Sequence, residues 1–366
     1  MAHHVFIFLE IFSCEGGIQS YVKDILQAYS QLETADADIF ILRDGVEFET
    51  PFDPDQMRFH CFKTNSAKLG RAKLAIALFT HLLSHRPDRV FCGHIHLAPL
   101  VELLCKPFGI PYTVLTYGKE VWEPLPTRKQ KALQNADRIW AISRYSRDRA
   151  CEANGIDPER VDFLFCAVDG KTFHPQAKNP DLIQRYQLGN HKVLMTVARL
   201  WSGDPYKGVD VTIRALPDIL KSCPEVKYLV IGRGDDQPRL QKLSEELGIR
   251  DRVVFAGFVS SEELPRHYCI ADAYVMPSQE GFGIVYLEAM ACGVPVLSGD
   301  SDGSSDPLQN GRFGWRVPHR DPGEVAIACI EMLKGEDQRC NGHWLRQESL
   351  ALFDKSAFAE RLKALL

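Results

Sequence analysis

The chain has 366 residues, with 43 lysines and arginines against 48 acidic residues and a formal net charge of -5. That length exceeds what one hydrophobic core usually serves, so two domains are expected; the balanced charge excludes a global pull toward nucleic acid or an anionic membrane. The 11 cysteines show no C-x2-C pairs or His/Cys clusters, which signals neither a disulfide framework nor a zinc site and reads as reduced, mostly buried cytosolic thiols.

The apolar run at 5–12 is too short to span a bilayer and lacks the basic region and small-residue cleavage site of a signal peptide. It reads as a first strand buried on both faces of a parallel sheet. His3 and His4, just ahead of it, are assigned no function. A loop containing Gly16 and Gly17 follows, and then Tyr21, Val22, Ile25, Leu26 and Tyr29 mark a helix. Strand, glycine loop and helix invite a phosphate-loop reading, but G-x-G-x-x-G and the P-loop lysine are both absent. A close backbone approach to ligand and a plain tight turn both stay open there.

Strands are expected at 39–42, 89–92 and 112–115, and a helix at 68–85 before Pro87. Ser143 is a good N-cap for the helix after 138–142. Strands alternating with helices imply a doubly wound parallel sheet, whose ligands gather at the carboxyl ends of its strands. His94, His96, Tyr117, Lys119 and Glu120 sit at two such ends. The 68–85 helix sets Lys68, Arg71 and Lys73 beside Leu69, Ile76, Phe79 and Leu83. That pattern suits a membrane surface as well as a sheet-covering helix with a solvated face.

After a turn-rich stretch at 158–180, a fresh buried strand at 192–197 ends at Arg199, and Lys207-Gly208 opens another helix. Strands at 228–231 and 253–259 follow, the first ending in a Gly-x-Gly that is a weak dinucleotide signal. Asp235 and Asp236 read as loop residues. The strand 273–276 is closed by Pro277 and Ser278, helical spacing runs from Ile284 to Cys292, and Gly293-Val294-Pro295 ends it. Glu280 therefore lies on a loop and Glu288 inside a helix. Free amides and a positive dipole end attract phosphate, and carboxylates beside them accept from sugar hydroxyls. The expected ligand is a sugar joined to a phosphate; a capped surface helix with two solvated glutamates is the plainer alternative.

Glu280 to Glu288 reproduces the E-x7-E motif of the retaining GT-B glycosyltransferases often called family 4, and the flanking P-S-x-x-E-G-F-G and E-A-M-A-C-G-V-P-V match as well. The chain resembles that group over its whole length, most strongly at 190–317 and least at 30–90. The resemblance implies a GT-B fold, two Rossmann-like doubly wound parallel-sheet domains facing across a cleft. Residues 1–175 would bind the acceptor, 176–345 the nucleotide sugar, and 346–366 would form a C-terminal helix crossing back to the first domain.

By the same resemblance Glu280 and the amides of Gly281, Phe282, Gly283 and Ile284 hold the donor sugar, and Glu288 the ribose. Arg199 and Lys207 neutralise the diphosphate, Gly16 and Gly17 lie against the donor phosphates, and main-chain groups of Phe258 and Val259 meet the base. Glu280, Arg199 and Lys207 are the catalytic candidates. His94, His96, Tyr117, Lys119 and Glu120 are acceptor-side candidates; Tyr117 stands where the family commonly has a histidine. The segment 302–306 departs from a common Gly-Gly-x-x-Glu.

Breaking a sugar–phosphate bond develops negative charge on phosphate oxygens. Two fixed cations make a divalent metal unnecessary, so neither metal nor cofactor is expected. The implied function is transfer of a hexose-type sugar, with retention, from a UDP- or GDP-linked donor to a hydroxyl of a saccharide or lipid-linked acceptor in polysaccharide or glycolipid biosynthesis. The expected setting is cytoplasmic, with the inner face of the membrane as a peripheral partner and no nucleic acid. The alternatives are a catalytically silent nucleotide-sugar-binding scaffold, a GT-B phosphorylase and an epimerase.

Overall fold

The computed structural model describes residues 2–14, 16–45, 50–203 and 205–366. The chain divides into two compact units: Met1–Ala167 together with Lys355–Leu366, and Val168–Asp354. The passage into the second unit thus falls at Val168, ahead of 175, and residues 346–354 belong to the second unit.

In the first unit β1 (His4–Phe8), β2 (Ala37–Ile41), β3 (Met57–Cys61), β4 (Arg89–Cys92), β5 (Tyr112–Thr116), β6 (Arg138–Ala141) and β7 (Val161–Phe163) form one sheet in the order β3-β2-β1-β4-β5-β6-β7. All neighbours are parallel. The helices are α1 (Gly17–Ser30), α2 (Ala67–His85), α3 (Ala98–Cys105), α4 (Thr127–Gln134) and α5 (Arg144–Asn154). Each β1 position is buried, as both-face coverage of a parallel strand requires. The stripe Tyr21, Val22, Ile25, Leu26 and Tyr29 buries α1, and Ser143 Oγ accepts from Ser146 N–H to cap α5. The strands β3 and β7 had no sequence signal: Met57–Cys61 interleaves charge with apolar residues, and β7 has three residues.

The second unit runs through α6 (Pro180–Arg185), β8 (Lys192–Val197), α7 (Val209–Ser222), β9 (Val226–Ile231), α8 (Gln237–Glu246), β10 (Val253–Gly257), α9 (Leu264–Tyr268), β11 (Ala273–Met276), α10 (Ile284–Ala291), β12 (Val296–Gly299), β13 (Gly314–Val317), α11 (Pro322–Lys334) and α12 (Gly342–Phe353). Its parallel sheet has the order β10-β9-β8-β11-β12-β13. The last helix, α13 (Lys355–Leu365), belongs to the first unit; it buries Phe358 and Leu362, the former edge-on to Tyr21 of α1 at 5.9 Å. Strand order reverses between β1 and β4 and again between β8 and β11. Those are the switch points where doubly wound sheets open a crevice for ligand.

Candidate active site

The loops after β8 and β11 meet at the second switch point. Lys207 precedes α7, Glu280 precedes α10, and Lys207 Nζ lies 2.7 Å from Glu280 Oε1, both side chains largely shielded from solvent. Gly208 makes this approach possible. It holds φ 75°, and a Cβ there would fall 2.4 Å from the Pro277 carbonyl oxygen. Arg199, at the end of β8, is exposed; its guanidinium lies 5.3 Å from the Trp201 ring. Arg199 and Lys207 line one depression with Trp201, Gly208 and Asp210.

Beside it runs an open groove bordered by Arg199, Trp201, Arg233, Gly234 and Asp235. The Arg233 guanidinium covers Phe258, exposed after β10, at 4.7 Å; Val259 follows it. The glycines of the Gly-x-Gly answer a packing demand: a Cβ on Gly234 would lie 1.8 Å from the Leu200 carbonyl oxygen. Asp236, expected in a loop, sits at the N-cap of α8, where Arg239 binds both its oxygens at 2.7 Å.

Glu280 is steadied from a segment that sequence reading left unassigned. Asp302 is buried; its Oδ2 accepts Glu280 N–H at 2.6 Å and its Oδ1 accepts Ser304 N–H at 2.9 Å. Gly303 N–H in turn donates to the Glu280 carbonyl at 2.8 Å. Burial pushes the Asp302 carboxyl up to about 7, although these hydrogen bonds pull the other way. In the helix, Glu288 Oε2 accepts from the buried Tyr268 hydroxyl at 2.7 Å. Gly281, Phe282, Gly283 and Ile284 form the turn into α10. The Phe282 ring is buried against Phe353.

In the first unit, Gly16 and Gly17 open α1. The loop before them is held by Asp44, which accepts from Ile11 and Phe12 N–H at 2.8 Å each and from Ser13 N–H at 3.1 Å. After β4, His94 and His96 stack with ring centroids 4.7 Å apart, and His96 Nδ1 lies 2.5 Å from Lys129 Nζ. Burial, reinforced by His96, lowers His94 to about 4, so it is neutral at neutral pH. Tyr117 turns inward: its hydroxyl donates to the Gly93 carbonyl at 2.7 Å. Glu120 folds back to accept Tyr117 N–H at 2.5 Å. Lys119 is exposed.

Two family profiles match, "Glycosyl transferase 4-like domain" over residues 16–166 and "Glycosyl transferases group 1" over 191–335. The chain belongs to the group 1 glycosyltransferases and has the GT-B fold. A GDP-mannose-dependent alpha-(1-6)-phosphatidylinositol monomannoside mannosyltransferase of Mycolicibacterium smegmatis is 36% identical over 60% of this chain and 59% of its own length. A GDP-mannose-dependent monoacylated alpha-(1-6)-phosphatidylinositol monomannoside mannosyltransferase of Corynebacterium glutamicum is 28% identical over 87% of this chain and 85% of its own. The chain therefore spans about three fifths of the first of these relatives. The group's fold is seen in Anabaena HepE in complex with UDP, with TM-score 0.82, 20% identity and coverage of 100% of this chain and 99% of that one. Of the residues that sequence reading missed, Asp302 and Tyr268 support Glu280 and Glu288, and Asp44 holds the loop at 11–13, each from 20 or more positions away; no local spacing marks them.

Proposed function

We propose that the protein transfers a hexose from a nucleotide-sugar donor to a hydroxyl of a saccharide or lipid-linked acceptor, with retention and without a metal. The observation that carries this reading is the Lys207–Glu280 pair at the β8/β11 switch point, with Arg199 on the same depression. A carboxylate there accepts from sugar hydroxyls, while two cations take up the charge that builds on the departing diphosphate. The leaving phosphate then takes the acceptor proton on the same face, which keeps the anomeric configuration. Glu280 serves as a holder of the sugar rather than as a nucleophile. The relatives' GDP-mannose dependence favours GDP-mannose as the donor and a lipid-linked polyol or saccharide as the acceptor.

Calorimetric titration with GDP, UDP and ADP in EDTA tests the reading. GDP is expected to bind best, with Arg199→Ala and Glu288→Ala each weakening it by about tenfold, or about 1.4 kcal/mol. Loss of Lys207 should lower kcat by roughly 100-fold or more, the scale of removing one charge-stabilising donor. Binding indifferent to both substitutions would remove these residues from the donor site; a covalent glycosyl-enzyme trapped with Glu280→Gln would overturn the same-face mechanism.

A further inference from the structure

At the end of the first sheet away from Gly16, Gly17 and His94, three imidazoles gather on one carboxylate and a fourth stacks on one of them. Asp38, the second residue of β2, is buried; its Oδ2 lies 2.9 Å from His3 Nε2 and its Oδ1 2.6 Å from His60 Nε2 of β3. His81, near the end of α2, brings Nε2 to 3.6 Å from the same Oδ2, with a side chain only 10% exposed. That nitrogen is buried without a hydrogen-bond partner, a costly condition for a ring nitrogen. His85, one turn further along α2, stacks on His81 with centroids 4.4 Å apart. His3, Asp38 and His81 each offer one ligand atom, and these three atoms all lie within 4.8 Å of one another.

We propose that His3, Asp38 and His81 bind a divalent transition-metal ion, zinc foremost, as a structural clasp that ties the start of the chain to β2 and α2. Tetrahedral zinc holds N and O ligands at about 2.0–2.2 Å, which sets ligand atoms roughly 3.3–3.6 Å apart. The two edges from Asp38, 2.9 and 3.6 Å, straddle that span, so side-chain shifts of about 1 Å seat the ion. Two imidazoles and one carboxylate are a zinc donor set, whereas calcium and magnesium require many more oxygens. His60 on Oδ1 is the outer partner that orients the carboxylate, and water or His85 completes the fourth position.

Arg58 touches Asp38 Oδ2 at 2.8 Å and Asp36 Oδ1 at 2.6 Å; it keeps Asp36 when Oδ2 turns to the ion. Asp88 accepts the His3 backbone N–H at 2.7 Å, so three carboxylates surround the spot. His60, 40% exposed, marks the way in. The ligands lie dozens of residues apart in the chain, which is why no spacing motif announces them.

The test uses untagged full-length protein stripped with EDTA and titrated with cobalt(II), then zinc(II). One tight equivalent with the absorption of tetrahedral cobalt is expected, displaced by zinc, and zinc should raise Tm. His81→Asn and His3→Gln should each weaken binding at least about 100-fold, while the exposed His343→Ala leaves it unchanged. His3→Gln, at the chain's start, retains the test if His81→Asn melts early in EDTA. Absence of a tight equivalent, or a tight equivalent indifferent to His3→Gln, overturns the site.

Discussion

Asp302 sets the position of Glu280 by accepting that residue's backbone N–H and, through its other oxygen, that of Ser304. Because burial lifts its carboxyl from an ordinary 3.8 to about 7, the folded chain binds more protons than the unfolded one between those values. Stability from this group is therefore fully present below about pH 4 and is lost as pH rises through about 7, by at most about 1.4 kcal/mol per pH unit. Asp302→Asn removes the titration. Unfolding free energies measured from pH 4 to 8 should show the native chain losing stability relative to Asp302→Asn as pH rises, by up to about 4 kcal/mol in all. A constant offset between the two curves would mean that Asp302 titrates normally. At pH 8 the same substitution sets an amide N–H₂ against one of two backbone N–H groups, a mismatch of about 1–3 kcal/mol that should loosen the Glu280 loop and lower kcat.

Among the elements, α2 shows where the sequence speaks and where it falls silent. Its bounds, Ala67–His85, follow the expected 68–85, because one apolar row, Leu74, Leu78 and Leu82, buries against the sheet. Leu69, Ile76 and Leu83 also fit a helical repeat, yet they are 51%, 66% and 56% exposed. Periodicity cannot tell a row that meets a sheet from one that meets something else. The same holds for β3: His60 and Arg58 carry no strand signal until Asp38 and the parallel register to β2 are known. By contrast Glu280 and Glu288 were legible, since a proline, two glycines and a helical run fix a loop and a helix locally. The exposed row on α2, flanked by Lys68 and Lys73, fits an anionic lipid surface. Sedimentation with vesicles containing anionic phospholipid should carry the native chain down at low salt, and Ile76→Glu with Leu83→Glu should release it by tenfold or more. Equal pelleting of both forms would leave α2 as an ordinary covering helix.

For the molecule as a whole, the two units differ in how the chain builds them. Val168–Asp354 is one continuous stretch with its own sheet, and it contains Arg199, Lys207, Phe258, Val259, Glu280 and Glu288. The first unit needs two stretches, because α13 supplies Phe358 and Leu362 to its core and Lys355 pairs with Asp24 at 3.4 Å. Losing two buried side chains of that size costs about 3–5 kcal/mol, much of the 5–15 kcal/mol that holds a typical domain together. A fragment of residues 168–354 should therefore fold cooperatively and bind GDP within about tenfold of the whole chain, that is within about 1.4 kcal/mol. A fragment of residues 1–167 should melt early and be rescued by a peptide of residues 355–366 added in trans. Should the 168–354 fragment fold yet fail to bind a nucleotide that the whole chain binds, the diphosphate must depend on residues of the first unit, and Gly16 and Gly17 become the first to substitute.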